Sequence, residues 1–295
     1  MPASLIARSL TVVRGPLVVL DQVELTLAPG HRVGLVGPNG VGKSTLLAAL
    51  AGRVDLEHGS VEVAPRTANV GLLPQEPERS ATETVREFLA RRSGVAPAQV
   101  ELDAATAALA AGEAGADDRY SDALDRWFAL GAADFEARVG EVWHDLGLGV
   151  GLLEQPTLTL SGGEAARSAL ASLLLSRFDV FLLDEPTNDL DLDGLERLEH
   201  WVLGLDAPVL LVSHDRSFLR RTITDVVEID HHSHRAMWFA GGWESFLAER
   251  ELARQHARER FEEYDAKRSA LEQRAQRERE WATQGRAKVR KSGET

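Results

Sequence analysis

The stretch His31-Arg-Val-Gly-Leu-Val36-Gly37-Pro38-Asn39-Gly40-Val41-Gly42-Lys43-Ser44-Thr45-Leu-Leu-Ala-Ala-Leu-Ala51 decides the fold. It reads as a short apolar strand, a glycine-rich turn, and a helix rich in leucine and alanine. The turn fits the phosphate-loop pattern G-x-x-x-x-G-K-[ST], flanked by the strand and helix that the pattern requires. Its residue types have physical reasons. Glycines let the backbone curl so that N–H groups aim at phosphate oxygens, and the helix N-terminus adds partial positive charge. Lys43 is expected to reach the β- and γ-phosphates of a nucleotide, and Ser44 to ligate a magnesium ion.

Upstream, Val18, Leu20, Val23, Leu25 and Leu27 nearly alternate with polar residues, with one shift near Gln22, so residues 1–75 read as β-rich with a single helix. Residues 76–157 read as helical. Ser80-Ala-Thr-Glu83 fits a capping box ahead of Val85, Phe88 and Leu89, and Pro97 to Ala111 is alanine-rich. Tyr120, Leu124, Trp127 and Phe128 share one helical face; Phe135, Val139, Val142, Trp143 and Leu146 share another. This segment holds 16 Asp/Glu against 7 Arg. Residues 158–240 alternate helix and strand again, which predicts a parallel sheet. From about Trp243 the chain reads as one long charged helix, with 13 Lys/Arg and 9 Asp/Glu between Glu249 and Lys291.

Composition narrows the functions. The 295 residues include no cysteine, which excludes a disulfide scaffold and a thiolate metal site and is compatible with a reducing cytoplasm. No run approaches the roughly 20 apolar residues that cross a bilayer, so no direct membrane insertion is expected. Val180 to Leu183 and Val209 to Val212 read instead as buried parallel strands. The start of the chain lacks the basic and apolar regions of a signal peptide. A net charge of −13 repels nucleic acid at long range, so any RNA contact must come from a local basic surface.

A second constellation sharpens the first. Phe181-Leu-Leu-Asp184-Glu185 is an apolar strand ending in two acids, a rigid place to hold a metal-side carboxylate (Asp184) beside a base that orients water (Glu185). Around it stand Gln75, Leu160-Ser161-Gly162-Gly163-Glu164, Asp184-Glu-Pro-Thr-Asn-Asp-Leu-Asp191 and Val212-Ser-His214-Asp-Arg. In this order, over about residues 5–240, the elements resemble the ATP-binding cassette (ABC) family. The resemblance implies a P-loop NTPase cassette: a parallel-sheet core, an antiparallel β subdomain and a helical subdomain. It implies ATP and Mg²⁺ as ligands. It makes Gly37 to Thr45 the phosphate loop, Glu185 and His214 catalytic, and Ser44, Gln75 and Asp184 the metal side. Ser161, Gly162 and Gly163 resemble the signature loop that closes on the γ-phosphate of an ATP held by a different cassette. His214 resembles the switch histidine, Gln75 the link from the metal site to the helical subdomain, and Asn188 and Asp191 fall in the loop between paired sites. The family's adenine-stacking aromatic has no counterpart here. Its position looks like Arg14, which reads either as a stacking guanidinium or, more simply, as a surface residue.

Further details resemble the ABC-F branch, whose members lack membrane domains: Glu164 where transporters carry Gln, Asn188-Asp-Leu-Asp191, Ser213 to Leu219, and Gly241-Gly-Trp-Glu-Ser-Phe-Leu-Ala-Glu-Arg leading into the charged helix. On that resemblance residues 1–242 are one cassette and 243–295 the start of an interdomain linker. The extra helical residues Ala96 to Arg119 match an arm, too acidic to favour rRNA. The partners implied are a second cassette, from a C-terminal half or a second copy, and the ribosome with its rRNA and tRNA. Arg286, Lys288, Arg290 and Lys291 form the expected basic tip. Two other readings compete: the ATPase subunit of an ABC transporter, and a regulatory half whose partner carries the chemistry. The presence of Glu185 argues against the second.

Overall fold

Two kinds of apolar pattern build two sheets. The computed structural model describes residues 3–74 and 79–256 and, within 258–269, all but 263 and 266. The first elements are β1 (Ser4–Arg14), β2 (Leu17–Leu27), β3 (Arg32–Val36), α1 (Lys43–Leu50), β4 (His58–Ala64) and β5 (Val70–Leu73). Then come α2 (Val85–Arg92), α3 (Val95–Ala110), α4 (Ala116–Ala129), α5 (Phe135–Asp145) and α6 (Gly162–Leu175). The last are β6 (Val180–Asp184), α7 (Leu192–Leu203), β7 (Val209–Val212), α8 (Arg216–Thr222), β8 (Asp225–Ile229) and β9 (Ala236–Ala240).

The half-buried, alternating strands form an antiparallel sheet in the order β2-β1-β4. Its pleat slips where the sequence predicts: Gln22 adopts a left-handed φ of 48° and donates its N–H to Thr11 Oγ1 (3.1 Å), so that Leu20 and Val23 both point inward. The fully apolar strands form the second sheet, β5-β6-β7-β3-β8-β9, parallel except for β9. Every residue of β6 and β7 is buried. Each Val or Leu so buried stabilises the fold by about 1.5–3 kcal/mol. Apolar residues of both sheets and of α1 share one core cluster.

The helical segment corrects one sequence reading. The capping box of α2 is Thr84 with Glu87, four residues beyond the expected Ser80 and Glu83. The Ser80 hydroxyl does accept the Glu83 N–H (3.2 Å), but the Glu83 carboxylate turns to Arg91 (2.5 Å), and the chain enters the helix only after Thr84, itself extended. Glu87 then answers the cap from within the first turn, and these hydrogen bonds hold its carboxyl below the usual range. Tyr120, Leu124, Trp127 and Phe128 lie together on α4 as expected, the first three half-buried and Phe128 exposed. The expected helix in the alanine-rich stretch forms as α3, and it packs against α4 through small residues, Ala98, Ala105, Ala108, Ala116 and Ala123. Trp127 donates to Gln99 Oε1 (2.7 Å) across this hairpin, and Arg126 pairs with Glu101 at 3.1 Å. Exposed pairs of this kind contribute little.

The chain divides into two compact units, Met1–Trp243 and Glu244–Thr295. In the second, residues 244–256 are helical and mostly exposed, with Phe246 buried and Ser245 and Arg250 half-buried. Gln75 and the basic residues Arg286, Lys288, Arg290 and Lys291 lie outside the described residues. Among the described residues no helix is long and apolar enough to cross a membrane.

Candidate active site

Strands β6, β7 and β3 are neighbours in the parallel sheet and end at the same edge. Ligand sites of open α/β sheets form beyond the carboxyl ends of such strands. Here that rule brings three distant loops together: the turn after Val36, the acids Asp184 and Glu185, and Ser213–His214 after Val212. A cavity of about 490 Å³ sits at this edge, lined by Asn39, Gly40, Gly42, Lys43, Ser44 and Thr45 with Asp184, Glu185, Val212 and His214. Gly37, Pro38 and Val41 complete the loop without lining the cavity. Val41 is buried and Lys43 Nζ donates to the Gly37 and Pro38 carbonyls (2.9 and 3.1 Å).

Two glycines of the loop are forced. Gly37 has φ 148°, and a Cβ there would come within 3.0 Å of the Ile229 carbonyl oxygen. Gly42 has φ 111° and lies against β2, where a Cβ would meet the Val19 carbonyl oxygen at 3.1 Å. Gly42 is also the N-cap of α1 and offers no capping side chain, so no side chain of its own competes for the first N–H groups of the helix. Burial holds the Lys43 ammonium below its usual pKa, while Glu185 and Asp184 work in the opposite sense.

Glu185 is the most constrained residue of the site. It is 4 % exposed, with a left-handed φ of 52° that costs a non-glycine residue of order 1–2 kcal/mol. Its N–H donates to the Val212 carbonyl (2.9 Å), which locks the turn to β7. Its carboxylate accepts the His214 N–H (3.0 Å) and stands 3.2 Å from His214 Nε2. Burial raises its pKa, against the opposing pull of His214 and Lys43. A buried carboxyl with a raised pKa, oriented by two contacts from a neighbouring loop, has the properties of a general base.

The signature-like loop is elsewhere. Ser161 is the exposed N-cap of α6. Its hydroxyl donates to Glu164 Oε2 (2.6 Å), its N–H donates to the same oxygen (2.8 Å), and the Glu164 N–H returns to Ser161 Oγ (3.3 Å). Neither Ser161 nor Gly163 lines the phosphate-loop cavity. Gly162 lines a different one of about 530 Å³, which shares Asp184 and Glu185 and includes Asn188. Asp191 caps α7 by accepting the Gly194 N–H (2.8 Å), a structural use of that carboxylate.

Sequence reading missed one feature and undervalued another. The Thr187 and Ser213 hydroxyls, both buried, are hydrogen-bonded at 2.8 Å and tie the turn after Glu185 to the residue before His214. The only signal was a hydroxyl residue within each flanking motif. Arg14 is exposed, as a surface residue should be, yet it lines the phosphate-loop cavity together with Val19.

The sequence profile of the family described as ABC transporter matches residues 20–188, more than half of the chain. The chain belongs to the ABC family. This cassette is 38% identical over 261 residues to the tylosin resistance ATP-binding protein TlrC of Streptomyces fradiae, a match covering 84% of this chain and 46% of that protein. It is 33% identical over 288 residues to the energy-dependent translational throttle protein EttA of Mycobacterium tuberculosis (94% of this chain, 48% of that one). It is 34% identical over 257 residues to the probable ATP-binding protein YheS of Escherichia coli K12 (84% and 38%). These relatives are ABC-F proteins, in agreement with the branch that the motifs resemble. The cassette thus spans less than half the length of each of them. Among solved structures, the ATP-binding subunit of an ABC transporter has the same fold, with a TM-score of 0.60 at 20% identity over 80% of this chain and 89% of that one.

Proposed function

We propose that this chain is the first cassette of an ABC-F protein, followed by the start of a helical linker, and that it hydrolyses ATP in partnership with a second cassette on the ribosome. Its role there is that of a translation factor or an antibiotic-resistance factor protecting the ribosome. The observation that carries the reading is the convergence of Lys43, Asp184, Glu185 and His214 on one cavity while the Ser161 loop stands outside it. A phosphate site with its own base but without its closing donors calls for those donors from another cassette.

The donor set suits Mg²⁺. The Ser44 hydroxyl and the Asp184 carboxylate are hard oxygen donors lining the same cavity, and Gln75 is assigned to the same metal side. Among the described residues no cluster of three or more His, Cys, Asp or Glu could hold an ion by itself. That fits a cation that takes its remaining ligands from phosphate and water. When bound, Mg²⁺ would offset the charge of the phosphates. The protein's own steps are then simple. Lys43 exchanges its two carbonyl partners for phosphate oxygens. His214 fixes the Glu185 carboxylate and contacts the γ-phosphate end. Glu185 orients the attacking water and accepts its proton. The Ser161, Gly162 and Gly163 donors act on the nucleotide of the partner cassette.

The ribosomal part rests on relatives that are named for tylosin resistance and for a translational throttle. It also rests on charge. The cassette is acidic, but residues 249–291 carry more Lys and Arg than Asp and Glu, a local excess of positive charge that favours RNA phosphates. Sedimentation of the chain through sucrose with ribosomes and a non-hydrolysable ATP analogue tests this. Nucleotide-dependent recovery in the ribosomal pellet is expected, weakening steeply with salt. Exclusion from ribosomes with retention by membranes would favour the transporter-subunit reading instead.

A further inference from the structure

Away from the nucleotide cavity, α7 has two faces. The inner one is buried through Gly194, Leu198 and Val202, and Trp201 meets Phe181 edge-on with ring centres 5.1 Å apart. The outer one carries Leu192, Glu196, Glu199 and Leu203. Their spacing of i, i+4, i+7 and i+11 sets them in one line along the helix. The leucines at its two ends are 81% and 44% exposed. Between them runs a groove of about 310 Å³, lined by Glu196, Glu199, His200 and Leu203 of α7 and Arg221 of α8. Arg221 stands 2.7 Å from Glu199, so that carboxylate is answered within the chain. Arg197 is taken by Asp193 at 2.9 Å. Glu196 is exposed, and among the described residues no lysine or arginine pairs with it. The groove thus sets a carboxylate without a cationic partner between two leucines that nothing covers.

We propose that this face of α7 docks a helix of a basic protein partner, which seats a lysine or arginine against Glu196 and an apolar residue on each leucine. Charge decides the occupant. The chain carries a net −13, which opposes a second copy of itself, and Glu196 opposes the phosphates of a nucleic acid. Geometry decides the form. A partner helix whose residues have the same spacing mirrors the line over about 16 Å, at a rise of about 1.5 Å per residue. The surface is separate from the nucleotide site, since none of its residues lines the phosphate-loop cavity. Leu192 nevertheless directly follows the Asp191 cap, so an occupant sits where the turn that begins with Glu185 enters α7.

The probe that tests the proposal is a labelled, alanine-based helical peptide carrying Leu, Lys, Lys and Leu at the same spacing. Its fluorescence anisotropy is followed on titration with the full chain. The parent should bind it saturably, with a Kd below about 1 mM. Glu196→Lys should weaken binding by about tenfold, and Leu192→Ser and Leu203→Ser by about fivefold each. A peptide with Glu in place of both lysines should not bind. All three positions are exposed, so melting temperature and ATP affinity should stay at parent values. No binding by the parent, or equal affinity in Glu196→Lys, would overturn the proposal. Equal affinity for the acidic peptide would overturn it as well. Displacement of the peptide by an oligouridylate would give the face to RNA instead. Self-association of the parent in ultracentrifugation, lost in both serine variants, would give it to a second copy.

Discussion

The phosphate loop and the Ser161 loop are both strained or capped turns at helix N-termini, yet the structure treats them in opposite ways. At Gly42 the helix begins without a capping side chain, and the nearby cation and two acids face a common cavity. At Ser161 the helix begins with a closed capping box, and Glu164 already occupies the hydroxyl and N–H that would meet a phosphate. One turn is open toward a site that this chain builds. The other is satisfied internally and exposed. A helix N-terminus is thus not an anion site by virtue of being one; what fills its orphan donors decides. Under the proposed function the comparison also locates the dependence on a partner: the chain would supply a charged floor and a second cassette the lid.

The comparison breaks most readily at Lys43. Lys43→Ala should lower ATP affinity by about a hundredfold or more, since it removes a charge-assisted partner of two phosphates. Calorimetry on the isolated chain measures this, and parent-like affinity would mean that the cavity is not the nucleotide site. Glu185 comes next. In an assembly with a second cassette, Glu185→Gln should retain ATP binding and reduce turnover by about 10²- to 10⁴-fold, the range of a lost general base. It should also stabilise the free cassette at neutral pH. Burial raises the carboxyl's pKa above its ordinary 4.5. The folded state therefore holds the proton more tightly than the unfolded one, and stability is lost as pH rises from 4.5 through the raised value. Glutamine carries no such penalty. Its melting temperature should exceed the parent's at pH 7 by about 2–4 °C for each ~1 kcal/mol relieved, and the gap should close as pH falls toward 4.5.

What was legible in the sequence follows the same division. The apolar strands and the phosphate loop declared themselves because a strand buried on both faces tolerates little but Val, Leu and Ile, and because positive φ at close approach admits only glycine. The inward slip at Gln22 was visible for a similar reason, since two polar residues in succession cannot face one core. The α2 cap was misplaced because Ser80 and Thr84 offer equivalent hydroxyls, each followed three residues later by a glutamate. Only the backbone path, which brings Glu83 to Arg91, chooses between them. The exposure of Phe128 was not legible, because helical spacing identifies a face but not how wide a strip of it a neighbour covers. The hydrogen bond between Thr187 and Ser213 joins two separate loops, and no local pattern encodes it.

That hydroxyl pair gives a mid-sized test. Thr187→Val leaves a buried Ser213 hydroxyl short of one partner and loosens the tie between Glu185 and His214. A loss of about 1 kcal/mol is expected, appearing as a fall of about fivefold in kcat with KM for ATP little changed. Ser213→Ala should cost more, because Ser213 Oγ also accepts the Asp215 N–H at 3.0 Å. The double variant should be no worse than Ser213→Ala alone, and Thr187→Ser should restore the parent rate. Additive losses, or a change confined to melting temperature, would reduce the pair to packing.

The smallest effect concerns the capping box itself. Glu164 is half-buried, and the hydrogen bonds from the Ser161 hydroxyl and N–H hold its carboxyl below the usual range, so it stays ionised throughout the neutral region. Its charge suits the N-terminus of α6 when nothing else is there. The same charge opposes a phosphate brought to Ser161 by a partner cassette. Glutamine at this position preserves the box, which accepts either residue, and removes the charge. Glu164→Gln should therefore act in two directions. The free cassette should lose a little stability, about 1 °C or less in melting temperature, because the helix dipole loses its counter-charge. Nucleotide-dependent association with a second cassette should become tighter by roughly two- to fivefold, because the dipole then faces the phosphate without a competing anion. Analytical ultracentrifugation over an ATP-analogue series in low and high salt reads the second effect, and the gain should shrink as salt screens the charge. If Glu164→Gln weakens association to the degree that it lowers the melting temperature, the carboxylate only caps the helix, and the Ser161 loop does not present its donors to phosphate.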